Sequence, residues 1–194
     1  MSNILEKLFN SKPRAKILKL IFRNPNFIFK AQEVAQRTKV DYYAARRELY
    51  RLVSVGLLKF KAIPSSNQKG FFLNSDFDFY KELKILVLKT SPISNDKLLR
   101  RFRKLGKLKL VLLSGVFINQ EKSRSDLLLV GDGIHQNQVD NLIKDLESEV
   151  GKEIVYAFMT TEEFKYRKNM FDKFVLEALE GPKDVLWDSI GATR

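Results

Sequence analysis

The chain reads as an α+β protein in two parts. The amino-terminal part has three helices followed by a β-hairpin, and the carboxyl-terminal part is a small α/β domain with a mixed sheet. Three observations support this. Periodic apolar helices and a short alternating segment follow one another through residue 74. From Lys107 onward the order becomes strand, strand, helix, strand, helix. Charge divides along the same line: Met1–Ser75 holds 15 Lys/Arg against 4 Asp/Glu, and the remainder holds 20 against 19. A basic domain joined to a nearly neutral one implies that the basic part meets a polyanion.

Pro13 suits the first turn of a helix, where its missing N–H would have no partner. The run RAKILKLIFRN then places Ile17, Leu18, Leu20, Ile21 and Phe22 inward and leaves Lys16, Lys19 and Arg23 polar, until Asn24-Pro25-Asn26 stops it. A short lead precedes it, with Ile4, Leu5, Leu8 and Phe9 apolar. KAQEVAQRT forms a second helix with Val34 and Ala35 inward. Asp41 caps the third, YYAARRELYRLVSVG, because its carboxylate accepts from free backbone N–H groups. Ala45, Leu49 and Leu52 fall at i, i+4 and i+7 and form its buried stripe, leaving Tyr42, Tyr43, Arg46, Arg47 and Tyr50 on other faces. Gly56 ends it. LLKFKA, PSSNQKG and FFLN then read as a hairpin around a turn-rich loop.

Three helices and a hairpin are the layout of a winged helix-turn-helix, whose third helix enters the major groove. The ordered pattern "SKPRAKILKLIF … EVAQRTKVDYYAARRELYRLVSVGLLKF … GFFLN" resembles the winged-helix transcriptional regulators of the ArsR-like type. The resemblance implies double-stranded DNA as partner, a homodimer on paired half-sites, and no metal sensing, since the chain has no cysteine. Arg46 and Arg47 offer planar forks for guanine edges or phosphates. Tyr42, Tyr43 and Tyr50 share their helix, and Lys59, Lys61 and Lys69 on the wing supply sequence-independent attraction. The alternative for such a domain is a protein–protein module with the tyrosines packed on a partner.

Residues 76–95 read as a linking helix and linker. Leu83, Leu86 and Val87 lie on one side of the helix, packed on the first domain or on a twin, and the domain boundaries fall at 1–75, 76–95 and 96–194. DKLLRRFRKLG then carries Lys97, Arg100, Arg101, Arg103 and Lys104 opposite Leu98, Leu99 and Phe102. It reads equally as an extension of the basic surface or as the solvated side of a helix.

Strands KLKLVLLSGVF, SDLLLVGD and KEIVYAFMT follow. HQNQVDNLIKDLESEVG is a helix with Val139, Leu142, Ile143, Leu146 and Val150 on one stripe. One or two further helices place Phe164, Phe171, Phe174, Val175 and Ala178 inward, and KDVLWDSI adds an edge segment. The stretch LLSGVFINQEKSRSDLLLVGD (Leu112–Asp132) resembles the minimal nucleotidyltransferase domain of the DNA polymerase β-like superfamily. In active members a Gly-Ser turn holds nucleotide phosphate, and an Asp-x-Asp pair with a third acid holds two magnesium ions. The geometry requires this: side chains two apart on a strand share a face at about 6–7 Å, so two carboxylates bracket metal ions about 4 Å apart.

Here Ser114-Gly115 reverses the turn, Asp126 after Ser125 keeps the first acid, and Leu128 replaces the second. Asp132 lies about 20 Å along the strand, and the third strand carries only Glu153 at its edge. The expectation is a DNA-binding transcriptional regulator with a non-catalytic nucleotidyltransferase-like domain (a pseudoenzyme), which serves in dimerisation, ligand sensing or binding of a nucleotide or protein partner. It uses no cofactor or metal. The competing expectation is an active, antitoxin-like nucleotidyltransferase with a nucleic-acid-binding domain. Asp126 has a plainer reading as a turn residue hydrogen-bonded to nearby backbone N–H groups. His135 begins a helix without a role, and Trp187 belongs to a core or interface. With no apolar run near 18 residues and no signal-peptide core, the sequence implies a cytoplasmic, membrane-free protein.

Overall fold

The computed structural model describes residues 4–64, 68–89, 93–120 and 123–193. The protein is mixed α+β and divides into two compact units. One comprises Met1–Pro92 with Glu147–Lys152; the other comprises Ile93–Leu146 with Glu153–Arg194.

The first unit is built on α2 (Lys12–Arg23). Ser11 caps it through Arg14 N–H, and Pro13 sits in its first turn. Around α2 pack α1 (Ile4–Leu8), α3 (Ala31–Thr38), α4 (Tyr42–Ser54) and α5 (Tyr80–Lys89). A helix surrounded on several sides keeps little solvated face beyond its first turn, and Ile17 through Phe22 are all buried. The expectation that Lys19 stays on a polar face is therefore corrected: it is 2% exposed. In α1 only Leu5 is buried, while Ile4 and Leu8 stand in solvent. Val34 and Ala35 of α3 are buried as the pattern requires.

Burial, followed by the positive charge of Arg23, lowers the Lys19 pKa to about 8, although Glu6 and Glu149 pull it upward. Above about pH 8 the folded chain gives up this proton, whereas the unfolded chain holds it to about pH 10.4. The protein is accordingly expected to gain stability between those values and to carry a penalty below them. Urea titrations of Lys19→Met should show a gain on the order of 2 kcal/mol at pH 7 and no rise above pH 8. A parallel rise in wild type and variant would remove Lys19 from this account.

β1 (Leu58–Ala62) and β2 (Lys69–Leu73) form an antiparallel hairpin in the register Phe60↔Phe71. Its connecting residues 65–67 lie outside the described residues, as does part of the sequence-predicted turn PSSNQKG. Phe29 adds a one-residue bridge, exchanging both backbone hydrogen bonds with Phe71 at 2.8–2.9 Å. α5 starts at Tyr80, later than the 76–90 reading, and packs on α2. Val87 is buried and Leu83 half-buried, but Leu86 is 39% exposed.

The second unit holds α6 (Asn95–Arg103), β3 (Lys107–Leu113), a 3-10 turn (Gly115–Phe117), β4 (Leu127–Asp132) and most of α7 (Gln136–Val150). These are followed by β5 (Tyr156–Met159), α8 (Thr161–Asn169), α9 (Lys173–Glu180) and β6 (Asp184–Asp188). The sheet order is β5-β4-β3-β6. β3 is antiparallel to both neighbours and β4 is parallel to β5, which makes the sheet mixed. On one face Leu110, Leu112, Leu128, Val130 and Met159 cluster with Phe164 of α8 and Val175 of α9. The alternating residues Val111, Leu113, Leu127 and Leu129 are just as buried, so neither face of the central pair is open to water.

Phe171 departs from its expected inward place and is 78% exposed. The chain breaks between α8 and α9, Phe171 takes φ 54°, and helical periodicity cannot be projected across that break. Phe174 and Ala178, beyond the break, pack against the cluster as expected. Among the described residues no helix is long and apolar enough to cross a membrane.

Candidate nucleic-acid interface and the Ser-Asp turn

α4 is held by both ends and by its middle. The Asp41 carboxylate accepts from Ala44 N–H at 3.0 Å. In the middle, Glu48 is buried and its two oxygens accept from Arg14 Nε at 2.8 Å and Arg51 Nη1 at 2.9 Å. It fixes α4 against α2 and orients the rest of the helix. Next door, Lys16 Nζ donates at 2.7 Å to the Thr38 carbonyl at the end of α3, where a cation meets the exposed acceptors of a helix terminus.

With Ala45, Glu48, Leu49 and Leu52 inward, Tyr43, Arg46, Arg47 and Tyr50 line one shallow surface groove. Arg46 is not loose in that groove, since its guanidinium lies 5.3 Å over the Tyr50 ring. Tyr50 in turn meets Phe71 edge-on at 5.6 Å and Phe60 at 5.9 Å, joining α4 to the hairpin. Tyr42 turns aside into a second concavity shared with Gln32, Ala35, Gln36 and Val40, at the α3–α4 corner. Sequence reasoning passed over Gln32, Gln36 and Glu48. The i, i+4 spacing of the two glutamines on one exposed helix face was the available signal.

The hairpin lysines do not all join the groove. Directly opposed residues share a face of a hairpin, so Phe60 and Phe71 mark the α4 side. Lys69, opposite Ala62, lies on that side. Lys59 and Lys61, one residue off, face the other way. Lys59 pairs with Asp76 at 3.1 Å, and Lys61 Nζ lies 4.3 Å over the Phe72 ring. Of the eight sequence-predicted contact residues, the groove itself brings together four. Tyr42 and Lys69 flank it, and Lys59 and Lys61 stand on the far face.

In the second unit, Ser114, Gly115, Ser125 and Asp126 do come together, and they bond to one another and to nearby backbone. Asp126 Oδ1 accepts from Val116 N–H at 2.6 Å and Oδ2 accepts from Val155 N–H at 2.9 Å. Ser114 Oγ donates to the Ser125 carbonyl at 2.6 Å, and Ser123 Oγ donates to the same oxygen at 2.7 Å. Gly115 has φ 49°, and a Cβ there would fall 2.0 Å from Asp126 Oδ1, so only glycine fits. Both carboxylate oxygens are thus engaged by backbone N–H groups, one in the turn and one just before β5.

Leu128 is 1% exposed inside the sheet–helix cluster. Asp132 accepts from Thr161 N–H at 3.0 Å and Oγ1 at 2.7 Å, at the start of α8. Those two bonds hold its carboxyl below the usual carboxylate range. His135 is exposed just before α7. Comparisons with protein-family models, curated proteins and solved structures find no match to this chain.

Proposed function

We propose that the protein is a DNA-binding transcriptional regulator. In this reading the first unit is an ArsR-like winged helix-turn-helix and α4 enters the major groove. One observation carries it: Tyr43, Arg46, Arg47 and Tyr50 converge on a single exposed groove of α4, within the first 75 residues, which hold nearly all the excess positive charge. Arginine forks read guanine edges bidentately, and glutamines such as Gln32 and Gln36 pair with adenine in the same way. A two-fold dimer would set two such helices on paired half-sites. The exposed Ile85 and Leu86 of α5 offer it apolar surface.

The second unit is proposed as a nucleotidyltransferase-like domain without the reaction, serving in dimerisation, ligand sensing or partner binding. Its first acid is committed to backbone N–H groups, and its second acid position is a leucine sealed in the core.

The test is fluorescence anisotropy on duplexes recovered by genomic-fragment capture. Log affinity is expected to fall with log salt at about −0.9 per phosphate neutralised. Arg46→Ala should cost about 1–3 kcal/mol and relax preference at one base position. A flat salt response, or an Arg46→Ala protein with unchanged affinity and site preference, would rule out this use of α4.

A further inference from the structure

We propose that α6, in the second unit, is a separate contact for the phosphate backbone of duplex DNA. α6 and the segment after it, residues 95–109, hold seven Lys/Arg against a single acid, Asp96 at the helix start. Leu98 and Phe102 anchor the helix and are 1% and 0% exposed. The solvent side is therefore formed by Lys97, Arg100, Arg103 and Lys104. Like charges at i, i+4, such as Arg100 and Lys104, repel and weaken a helix standing alone. The helix dipole favours the cations of the last turn but leaves their mutual repulsion in place, and a partner of continuous negative charge offsets it.

Arg100 and Lys104 are separated by about 6 Å along the axis, roughly the rise of two phosphates on one DNA strand. A lipid surface fits less well, because the apolar face that would insert is already buried. Arg103 also ties the surface to an optical probe. Its guanidinium lies 4.3 Å over the ring of Trp187, the only tryptophan in the chain, whose Nε1 donates to the Leu108 carbonyl at 3.3 Å.

The proposal rests on the DNA-binding reading for the nature of the polyanion, but not on α4 itself. The experiment titrates the full chain with random-sequence and captured duplexes, following Trp187 emission and anisotropy. Duplex should shift Trp187 emission saturably. Arg100→Ala/Lys104→Ala should bind both duplexes about tenfold more weakly, with a salt slope shallower by about 2. Arg100→Lys should restore the slope. Arg46→Ala/Arg47→Ala should lose site preference yet keep the Trp187 shift. If that variant alone behaves as wild type, the α4 reading fails and this one stands. The proposal is overturned if Arg100→Ala/Lys104→Ala, with unchanged thermal unfolding, keeps wild-type affinity and slope. It is equally overturned if that variant loses only binding to anionic vesicles.

Discussion

Leu128→Asp is expected to destabilise the second unit by at least about 4 kcal/mol, and to restore no nucleotidyl transfer. The substitution rebuilds the acid spacing of an active enzyme in letters alone. In space the new carboxylate would enter a cluster with Leu110, Leu112, Val130, Met159, Phe164 and Val175. Leu128 is 1% exposed there, so water does not reach the carboxylate. Burial would raise its pKa, so the deficit should be small near pH 4 and widen toward pH 7 as the unfolded chain ionises first. Leu128→Asn separates loss of packing from the cost of charge. Urea unfolding followed by Trp187 emission, which reports on this unit, is the measurement. A folded Leu128→Asp protein that transfers labelled nucleotide with magnesium would refute this expectation, and transfer by the wild-type chain would refute the non-catalytic reading.

Glu48→Ala should cost the first unit about 2–3 kcal/mol. Removing one member of a buried ion pair costs about 3–5 kcal/mol. The figure is lowered here because Arg14 and Arg51 are part-exposed, at 28% and 56% of their side chains, and regain water once released. Hydrogen exchange should quicken in α2 and α4 together, because Glu48 joins them, and Glu48→Gln should fall between. DNA affinity should drop for every sequence alike, since the change loosens the helix without touching its groove. An unfolding free energy within about 0.5 kcal/mol of wild type, the usual range of a neutral surface substitution, would show that Glu48 is not the tie.

The two residues behind these experiments were legible to different degrees. Leu128 was plain from the strand pattern, because an apolar run four residues long with no charge reads as buried on both faces. Glu48 was hidden by its own charge. It sits at i+3 from Ala45, squarely on the apolar stripe. Arg51 at i+3 and Arg14, thirty-four residues earlier, together make that position tenable, and a pairing across the longer distance leaves no local trace. Lys19 misled for the same reason: one helix seen alone has a wet side, and at Lys19 α2 has none.

Phe171 failed where periodicity was carried past a helix end. The alternation of LLKFKA correctly split Leu58 and Phe60 from Lys59 and Lys61. It could not say which side would turn toward α4, and that detail sets Lys59 and Lys61 apart from the groove. The Ser-Asp outline was readable as a shape. Its use was not, because the fate of two carboxylate oxygens depends on N–H groups at Val116 and Val155, on either side of it in the chain.

Arg46 rests on the Tyr50 ring before any ligand arrives. A free arginine side chain gives up rotamer entropy worth about 1.5–2 kcal/mol when it is immobilised. One already lying on an aromatic face has surrendered part of that during folding. Docking then freezes less motion, and the guanidinium edge presents its donors in a nearly fixed direction. Among the described residues Arg47 stacks on no ring, so its rotamer entropy is left to be lost on contact. Side by side on one helix, the two arginines divide the work: a stiff one that rejects misaligned partners, and a supple one that tolerates variation in what it meets.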